Sequence, residues 1–237
     1  MAGIDKTYFP DKPTQDAIKQ GVDNIAAQIE NKDAGKVMRS KVFETPGTFT
    51  WTIPEGVTEV FLTGCGGGGS GAHGPDGASG YYGPCGGGAR YVEYYPVQVT
   101  PGQTVTVTVG AGGPAVTHGG TTGANGNAGG TTSFGTYVSL SGGGGGNYST
   151  LKGGNAGGPL GVKGSDGVPH GGTNYTASLI KGGNCGPFTG GAIGSFNRYL
   201  PGQEGGPGCG GGGIGINSEG IPSGKGGDGF LIVQWWE

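Results

Sequence analysis

The alternation of apolar and polar positions is clearest in residues 47–53, GTFTWTI, where Phe49, Trp51 and Ile53 alternate with Thr48, Thr50 and Thr52. A period of two puts the three large apolar side chains on one face of a half-buried strand. The same period runs through VTEVFLTG (57–64), ARYVEYYPV (89–97) and QTVTVTVG (103–110), in which Val105, Val107 and Val109 alternate with threonines. Shorter strands fit TTSF (131–134) and TYVSLS (136–141), with Gly135 as the bend, and the chain ends on GFLIVQWWE, where Leu231, Val233 and Trp235 form the expected buried face. Turns fall at Pro54–Gly56 and Thr100–Gly102. Antiparallel strands with β-branched faces and no intervening helices predict a mainly β fold with an antiparallel β-sandwich or jelly-roll-like base. The last strand must rejoin a sheet built from segments far earlier in the chain.

A different spacing occupies residues 13–31, PTQDAIKQGVDNIAAQIEN. Ile18, Val22, Ile25 and Ile29 follow one another at four, three and four residues, the seam of a short α-helix of coiled-coil type, whose isoleucine content leans toward three or more strands. Gly21 and the short length weaken it in isolation. Packing of this helix on its own domain and a role in self-association or attachment are both compatible with the seam. Residues 31–41, NKDAGKVMRSK, read as a linker, so the expected domains are 1–42 for attachment or oligomerisation and 43–237 for the rest.

Between the strands a third period appears. Gly68, Gly71, Gly74, Gly77, Gly80, Gly83 and Gly86 fall at every third position, as do Gly120–Gly129, Gly158–Gly167, Gly202–Gly211, and Gly226 with Gly229. Three residues per turn is the period of a polyproline-II helix, which has no internal hydrogen bonds. Such helices are stable only side by side, with glycine edges that let backbone N–H and Cα–H groups reach neighbouring carbonyls. The register predicts an inserted bundle of polyglycine-II helices over 66–86, 119–130, 157–167 and 202–213. The unbroken runs Gly142–Gly146 and Gly210–Gly213 suit a helix in the middle of such a bundle.

Composition then excludes alternatives. Collagen needs strict triplets with proline near 15–20% or more, whereas this chain has 63 Gly and 15 Pro in 237 residues. A flexible linker is disfavoured because strand-like segments flank every glycine block. With 12% charged residues, a net charge of −3 and no Lys/Arg cluster, nothing points to nucleic acid. No apolar run suits a membrane span, and the start MAGIDKTYFPDK lacks the apolar core of a signal peptide, so neither secretion by leader nor anchoring is expected.

Candidate chemistry is sparse. Cys65, Cys85, Cys185 and Cys209 form no C-x-x-C pair, so they read as small apolar side chains among close backbones rather than metal ligands. Gly64–Gly71 follows a strand but leads into no helix that could hold a pyrophosphate, and SGKGG at 223–227 lacks the P-loop pattern. His73, His118 and His170 lie in separate Gly/Pro loops and read as solvated. No positioned acid, base or nucleophile emerges, and the expectation is a non-enzyme without cofactor or metal. The larger side chains between glycine blocks must be expelled from so tight a bundle. Tyr148, Asn174, Tyr175, Phe188, Phe196, Asn197, Arg198 and Tyr199 are therefore the candidate recognition residues, although side chains folded back as caps would look the same in sequence.

The ordered blocks FTWTIPEGVTEVFLTGCGGGGSG, ARYVEYYPVQVTPGQTVTVTVGAGG, GGTTSFGTYVSLSGGGGG and GGDGFLIVQWWE, spanning residues 43–237, resemble the glycine-rich domain of bacteriophage tail-fibre proteins. The wider architecture is similar to the distal tail-fibre adhesins of T-even-type phages, which implies polyglycine-II helices with variable tip loops that touch a host receptor. The glycine-rich region of the anaplastic lymphoma kinase receptor family looks comparable but goes with a secreted ectodomain. The resemblance implies a virion tail protein made in the host cytoplasm. Its partners would be a bacterial outer-surface receptor, protein or polysaccharide, and other tail or fibre proteins, as a homotrimer or on a trimeric fibre, with no nucleic acid and no membrane insertion. T-even-type adhesins carry a larger N-terminal attachment domain than residues 1–42 provide. A purely structural fibre or baseplate component is the alternative.

Overall fold

The computed structural model describes residues 16, 19–24, 35–74, 83–117, 123–158, 160, 181–194, 201–214 and 220–237. Two compact units are present, Met1–Met38 with Glu237, and Arg39–Trp236. In the first, residues 19–24 are helical and Lys19 pairs with Asp23 at 3.5 Å one turn on. Of the predicted seam, Ile18, Ile25 and Ile29 lie outside the described residues, and Val22 is 58% exposed.

The second unit is mainly β. Eight strands, β1 (Met38–Phe43), β2 (Gly47–Thr52), β3 (Glu59–Cys65), β4 (Tyr91–Gln98), β5 (Thr104–Val109), β6 (Thr132–Phe134), β7 (Val138–Leu140) and β8 (Phe230–Trp236), form two four-stranded sheets. Their orders are β1-β8-β3-β4 and β2-β5-β6-β7. The alternating positions turn inward as their period requires. Val60 and Leu62 of β3, Leu231 and Val233 of β8, Val105 and Val107 of β5 and Phe134 of β6 share one core between the sheets. Trp51 packs on Trp235 at 5.3 Å and on Phe134 at 6.1 Å, closing that core on one side. β8 pairs antiparallel with β3, Leu62 opposite Val233, so the chain's last strand returns to a sheet begun far upstream.

β1 departs from the sequence-based expectation of a linker over residues 31–41. In MRSKVF only Phe43 is buried, and Arg39 and Lys41 interrupt any apolar face. An edge strand needs only one covered position and commonly carries charge. A second irregularity sits opposite, where the β3–β4 register shifts between Leu62 and Gly64. There Tyr94 adopts a left-handed φ of 49°, its N–H donates to Thr63 Oγ1 at 3.0 Å, and its ring stacks on Phe61 at 4.4 Å. The stack and the hydrogen bond offset a conformation that costs on the order of 1–3 kcal/mol.

Beyond the strands the glycine segments show the three-direction hydrogen bonding that a threefold helix requires. From β3 the chain continues as 66–74. Its N–H groups at 66, 69 and 72 donate to Arg90, Gly87 and Pro84, those at 67, 70 and 73 to Gly130, Asn127 and Ala124, and those at 68 and 71 to Gly227 and Gly224. Every third N–H thus meets the same antiparallel neighbour. The carbonyls do likewise on the remaining sides, taking N–H groups from Gly143 and Gly146, from Gly211 and Ile214, and from Gly113. Helix 66–74 is therefore enclosed all round by other backbones. Its near-unbroken glycine follows, because a Cβ at Gly67, Gly68, Gly69 or Gly71 would fall on the carbonyl of Ala111, Cys209, Gly144 or Gly212. In helix 123–130 the glycines facing this centre are Gly123, Gly126 and Gly129, where a Cβ would meet the His73, Ser70 and Gly67 carbonyls.

Two expected helices are each two. Residues 66–74 and 83–90 run antiparallel to one another, and the stretch 75–82 lies outside the described residues. Residues 202–206 and 209–214 are likewise antiparallel, joined by a turn in which Gly208 has φ +67°. A glycine register is preserved through a reversal, so it does not report chain direction. Residues 123–130 form a helix as expected; of 157–167, only 157, 158 and 160 are described. Segments at 110–117, 141–146, 153–158, 181–184, 189–194 and 220–229 also join the bundle.

All four cysteines are buried and unpaired, which agrees with their reading as small apolar fillers. Cys65, Cys185 and Cys209 cluster with Ala89 and Tyr91 under Phe188 and Phe230, and Cys85 packs on Ile193 while its sulfur takes the Gly213 N–H at 3.4 Å. The Cys185 thiol hydrogen-bonds Cys65, which together with burial pushes its pKa upward. Burial pushes Cys85 up to about 11 and Cys209 up to about 12 from an ordinary 9.0.

Two predictions follow from this packing. Gly69→Ala and Gly126→Ala should each destabilise the domain by more than about 3 kcal/mol or prevent folding, since one methyl has to displace backbone rather than side chain. Ala128→Val, at an exposed position of the same outer helix, should shift stability by less than about 0.5 kcal/mol; equal melting temperatures for all three variants would refute the bundle. The thiols set the alkaline limit. The folded chain keeps protons that the unfolded chain releases above 9.0, so stability is complete below pH 9 and is lost as pH rises through about 11 to 12. Melting temperature followed against pH should fall above 9, less steeply in Cys85→Ala, and a flat profile in the parent would contradict buried thiols.

Candidate functional site

Rigid helices of known direction fix where the chain leaves the bundle. Helix 66–74 extends about 25 Å from the sheet at the polyproline-II rise. At its far end Gly74 and Gly83 both donate to the Ile214 carbonyl, His73 bridges to Ala124 and Ile214, Gly194 donates to Gly213, and Ser223 to Val116. Residues 74, 83, 117, 123, 147, 194, 201, 214 and 220 thus gather at one distal end. The stretches 75–82, 118–122, 195–200 and 215–219, which lie outside the described residues, are each flanked by positions at that end.

Two side chains at this end are placed in detail. His73 is fully buried, contrary to its reading as a solvated loop residue; its backbone is locked into both neighbours and Nδ1 donates to the Gly74 carbonyl at 2.6 Å. The terminal turn of a central helix is enclosed by the ends of its neighbours, and a side chain there folds onto backbone. His118 and His170 lie outside the described residues. Tyr148 sits in the tight turn 147–152, where its N–H donates to Asn125 Oδ1 at 2.7 Å, Asn147 Oδ1 takes the Thr150 N–H at 3.0 Å and Leu151 has φ 54°. Its ring lies over Gly123, where a Cβ would strike it. Tyr148 is half-buried, so part of its ring closes the bundle end and part is accessible.

Phe188 is elsewhere. Residues 185–188 turn back at the sheet-proximal end, with Cys185 and Phe188 exchanging backbone hydrogen bonds and Gly186, φ +53°, lying against the Tyr91 ring. The Phe188 ring meets Phe230 of β8 edge-on at 5.8 Å. The structure therefore separates Phe188 from Tyr148 by the length of the bundle. Asn174, Tyr175, Phe196, Asn197, Arg198 and Tyr199 lie outside the described residues.

Beside Phe188 the structure holds a groove of about 420 Å³ that alternation and glycine spacing did not indicate. Asp228 marks its wall, held by the Gly112 N–H at 2.7 Å and by Lys225 at 2.9 Å, with Glu204 3.6 Å from the same ammonium. The hydrogen bond to Asp228 holds the Lys225 pKa above its ordinary value. A DG dipeptide before a strand reads in sequence as a turn, so nothing local singles this carboxylate out. Among the described residues no group of His, Cys, Asp and Glu side chains is arranged to hold a metal ion, and no helix is long and apolar enough to cross a membrane.

No curated protein matches the chain. The model of the glycine-rich domain matches residues 44–236, from the turn after β1 to the end of β8 and so over seven of the eight strands and the bundle, and the chain belongs to that family.

Proposed function

We propose that the chain is a bacteriophage tail-fibre or tail-tip adhesin, a non-enzymatic virion protein that binds a bacterial surface receptor through the chain segments at the distal end of its bundle. The observation that carries this reading is the convergence of segment ends at one end of a framework with almost no side chains of its own. Glycine backbones cannot discriminate between surfaces, so specificity falls to what they hold out. Loops on a rigid scaffold are the usual place for recognition, and the sequence puts Phe196, Asn197, Arg198 and Tyr199 in the segment between residues 194 and 201, with Asn174 and Tyr175 in the segment that re-enters at Lys181. Aromatic and arginine side chains of this kind dominate binding hot spots. Residues 1–42, with Ile18, Val22, Ile25 and Ile29, serve attachment to a fibre or self-association.

Tyr148 and His73 favour a second reading at one point, since both are drawn back onto the bundle end. If their neighbours behave alike, the protein is a structural spacer. Single alanine replacements of Tyr175, Phe196, Arg198 and Tyr199 separate the readings. The adhesin reading expects unchanged melting temperature and, for at least one variant, a loss on the order of 2 kcal/mol in binding to host cells; lost stability with intact cell binding would make these residues caps. Removal of residues 1–36, which leaves β1 whole, should give a folded domain that is absent from assembled particles. Its incorporation at parental levels would place attachment on another surface.

A further inference from the structure

The groove at the sheet-proximal end lies apart from the distal segments and serves a different purpose from the one assigned to them. Its floor is apolar: Phe230 and Ile232 of β8 point outward on the face opposite the sandwich core, and Val42 of β1, 49% exposed, and Phe188 flank them. Its wall is acidic. Glu44, Glu204 and Asp228 line it, and the single cation Lys225, paired with both Asp228 and Glu204, balances one of their three charges. Asp228 is already held by Lys225 and Gly112, whereas Glu204 is an exposed partner at 3.6 Å and Glu44 has no ion pair among the described residues.

From this arrangement we infer that the groove is a docking site for a short peptide segment of another protein that carries an aromatic or aliphatic side chain next to lysine or arginine. The volume is within the range of sites that take a few side chains. The apolar floor supplies the burial, and the two least-engaged carboxylates supply complementarity to a cation, which sets orientation and encounter rate more than affinity. A glycan would need a denser set of polar partners than a floor of Val42, Phe188, Phe230 and Ile232 provides. The chemistry fits a neighbouring protein of the assembly that lies alongside the domain rather than beyond its tip.

The test uses the full chain and a fluorescein-labelled heptapeptide of alternating lysine and phenylalanine, with a glutamate–phenylalanine peptide of the same length as its counterpart. Fluorescence anisotropy should show the lysine peptide binding and the glutamate peptide not. The Glu44→Lys/Glu204→Lys double variant should weaken binding by about tenfold or more, and raising salt from about 0.05 to about 0.5 M should do the same to the parent. Glu93→Lys, an exposed change on β4, should leave binding unaltered, and melting temperature checks that each variant is folded. Phe188→Ala should lower affinity without altering the salt dependence. Equal binding of both peptides, an equal loss in Glu93→Lys, or no binding to the parent overturns the inference. So does binding of purified host lipopolysaccharide that the double variant abolishes while neither peptide binds. None of these outcomes bears on the distal segments, whose alanine variants are read by cell binding.

Discussion

Everything in this molecule above the sheets depends on backbone reaching backbone in three directions at once. A strand satisfies its N–H and C=O groups on two sides, within one plane. A threefold helix points successive groups 120° apart, and helix 66–74 accordingly bonds with 84–90, 124–130 and 224–227 through its N–H groups and with other segments through its carbonyls. Buried amides without partners are costly, so a central helix is stable only when all sides are occupied. Full occupation in turn leaves little room for a Cβ, and the central helix carries one only at Ser70, Ala72 and His73. Glycine gives up more conformational entropy on ordering than any other residue, and the bundle offsets this by packing amides against amides with scarcely an apolar side chain between them.

That arrangement explains the division of labour with the sandwich. Apolar burial is concentrated between the two sheets, where Leu62, Leu140, Val107, Phe134, Leu231 and Val233 are fully covered, and those strands launch the helices. β3 runs into 66–74, β5 into 110–117, β7 into 141–147, and 220–229 runs into β8. The sheet sets the lateral order of the strand ends, and the helices inherit it. Where the two systems join, the filler changes from valine and leucine to cysteine and alanine, because the spacing is too tight for branched side chains and too wide for glycine alone. The exclusion of water at this junction holds the Cys209 thiol protonated far above its ordinary range, and the close backbones around Cys85 deeper in the bundle do the same there.

The sequence made the strands legible because each obeys a face. Phe49, Trp51 and Ile53, and Leu231, Val233 and Trp235, took the sides that alternation assigned them. β1 was hidden because an edge strand with one buried residue has no face to show. The glycine register made the bundle legible but not its path. An antiparallel neighbour and a parallel one both require a Cα at every third position, so the reversals between 74 and 83 and at Gly208 leave no mark in the spacing. His73 looked like a loop residue because its neighbours are glycines, which here are the densest packing in the protein. Phe188 is close in sequence to the candidate residues Phe196, Asn197, Arg198 and Tyr199. Gly186 turns the chain, however, and puts Phe188 at the opposite end, against Phe230.

The same logic bounds where this protein can vary. A substitution at Gly67 or Gly129 strikes a neighbour's carbonyl, and no compensating change nearby can move that carbonyl without breaking its own bond to a third helix. Interior positions are therefore coupled through the backbone, in contrast to an ordinary core, where a smaller residue opposite can absorb a larger one. Past the last packed residues of the helices this coupling ends. The turn 147–152 shows how such a segment is held, by bonds between Asn147 and Lys152 at its base, by the Tyr148 N–H on Asn125 and by a ring resting on Gly123. A fold built this way holds its framework sequence nearly fixed and leaves composition and length free at the places where a surface would be recognised.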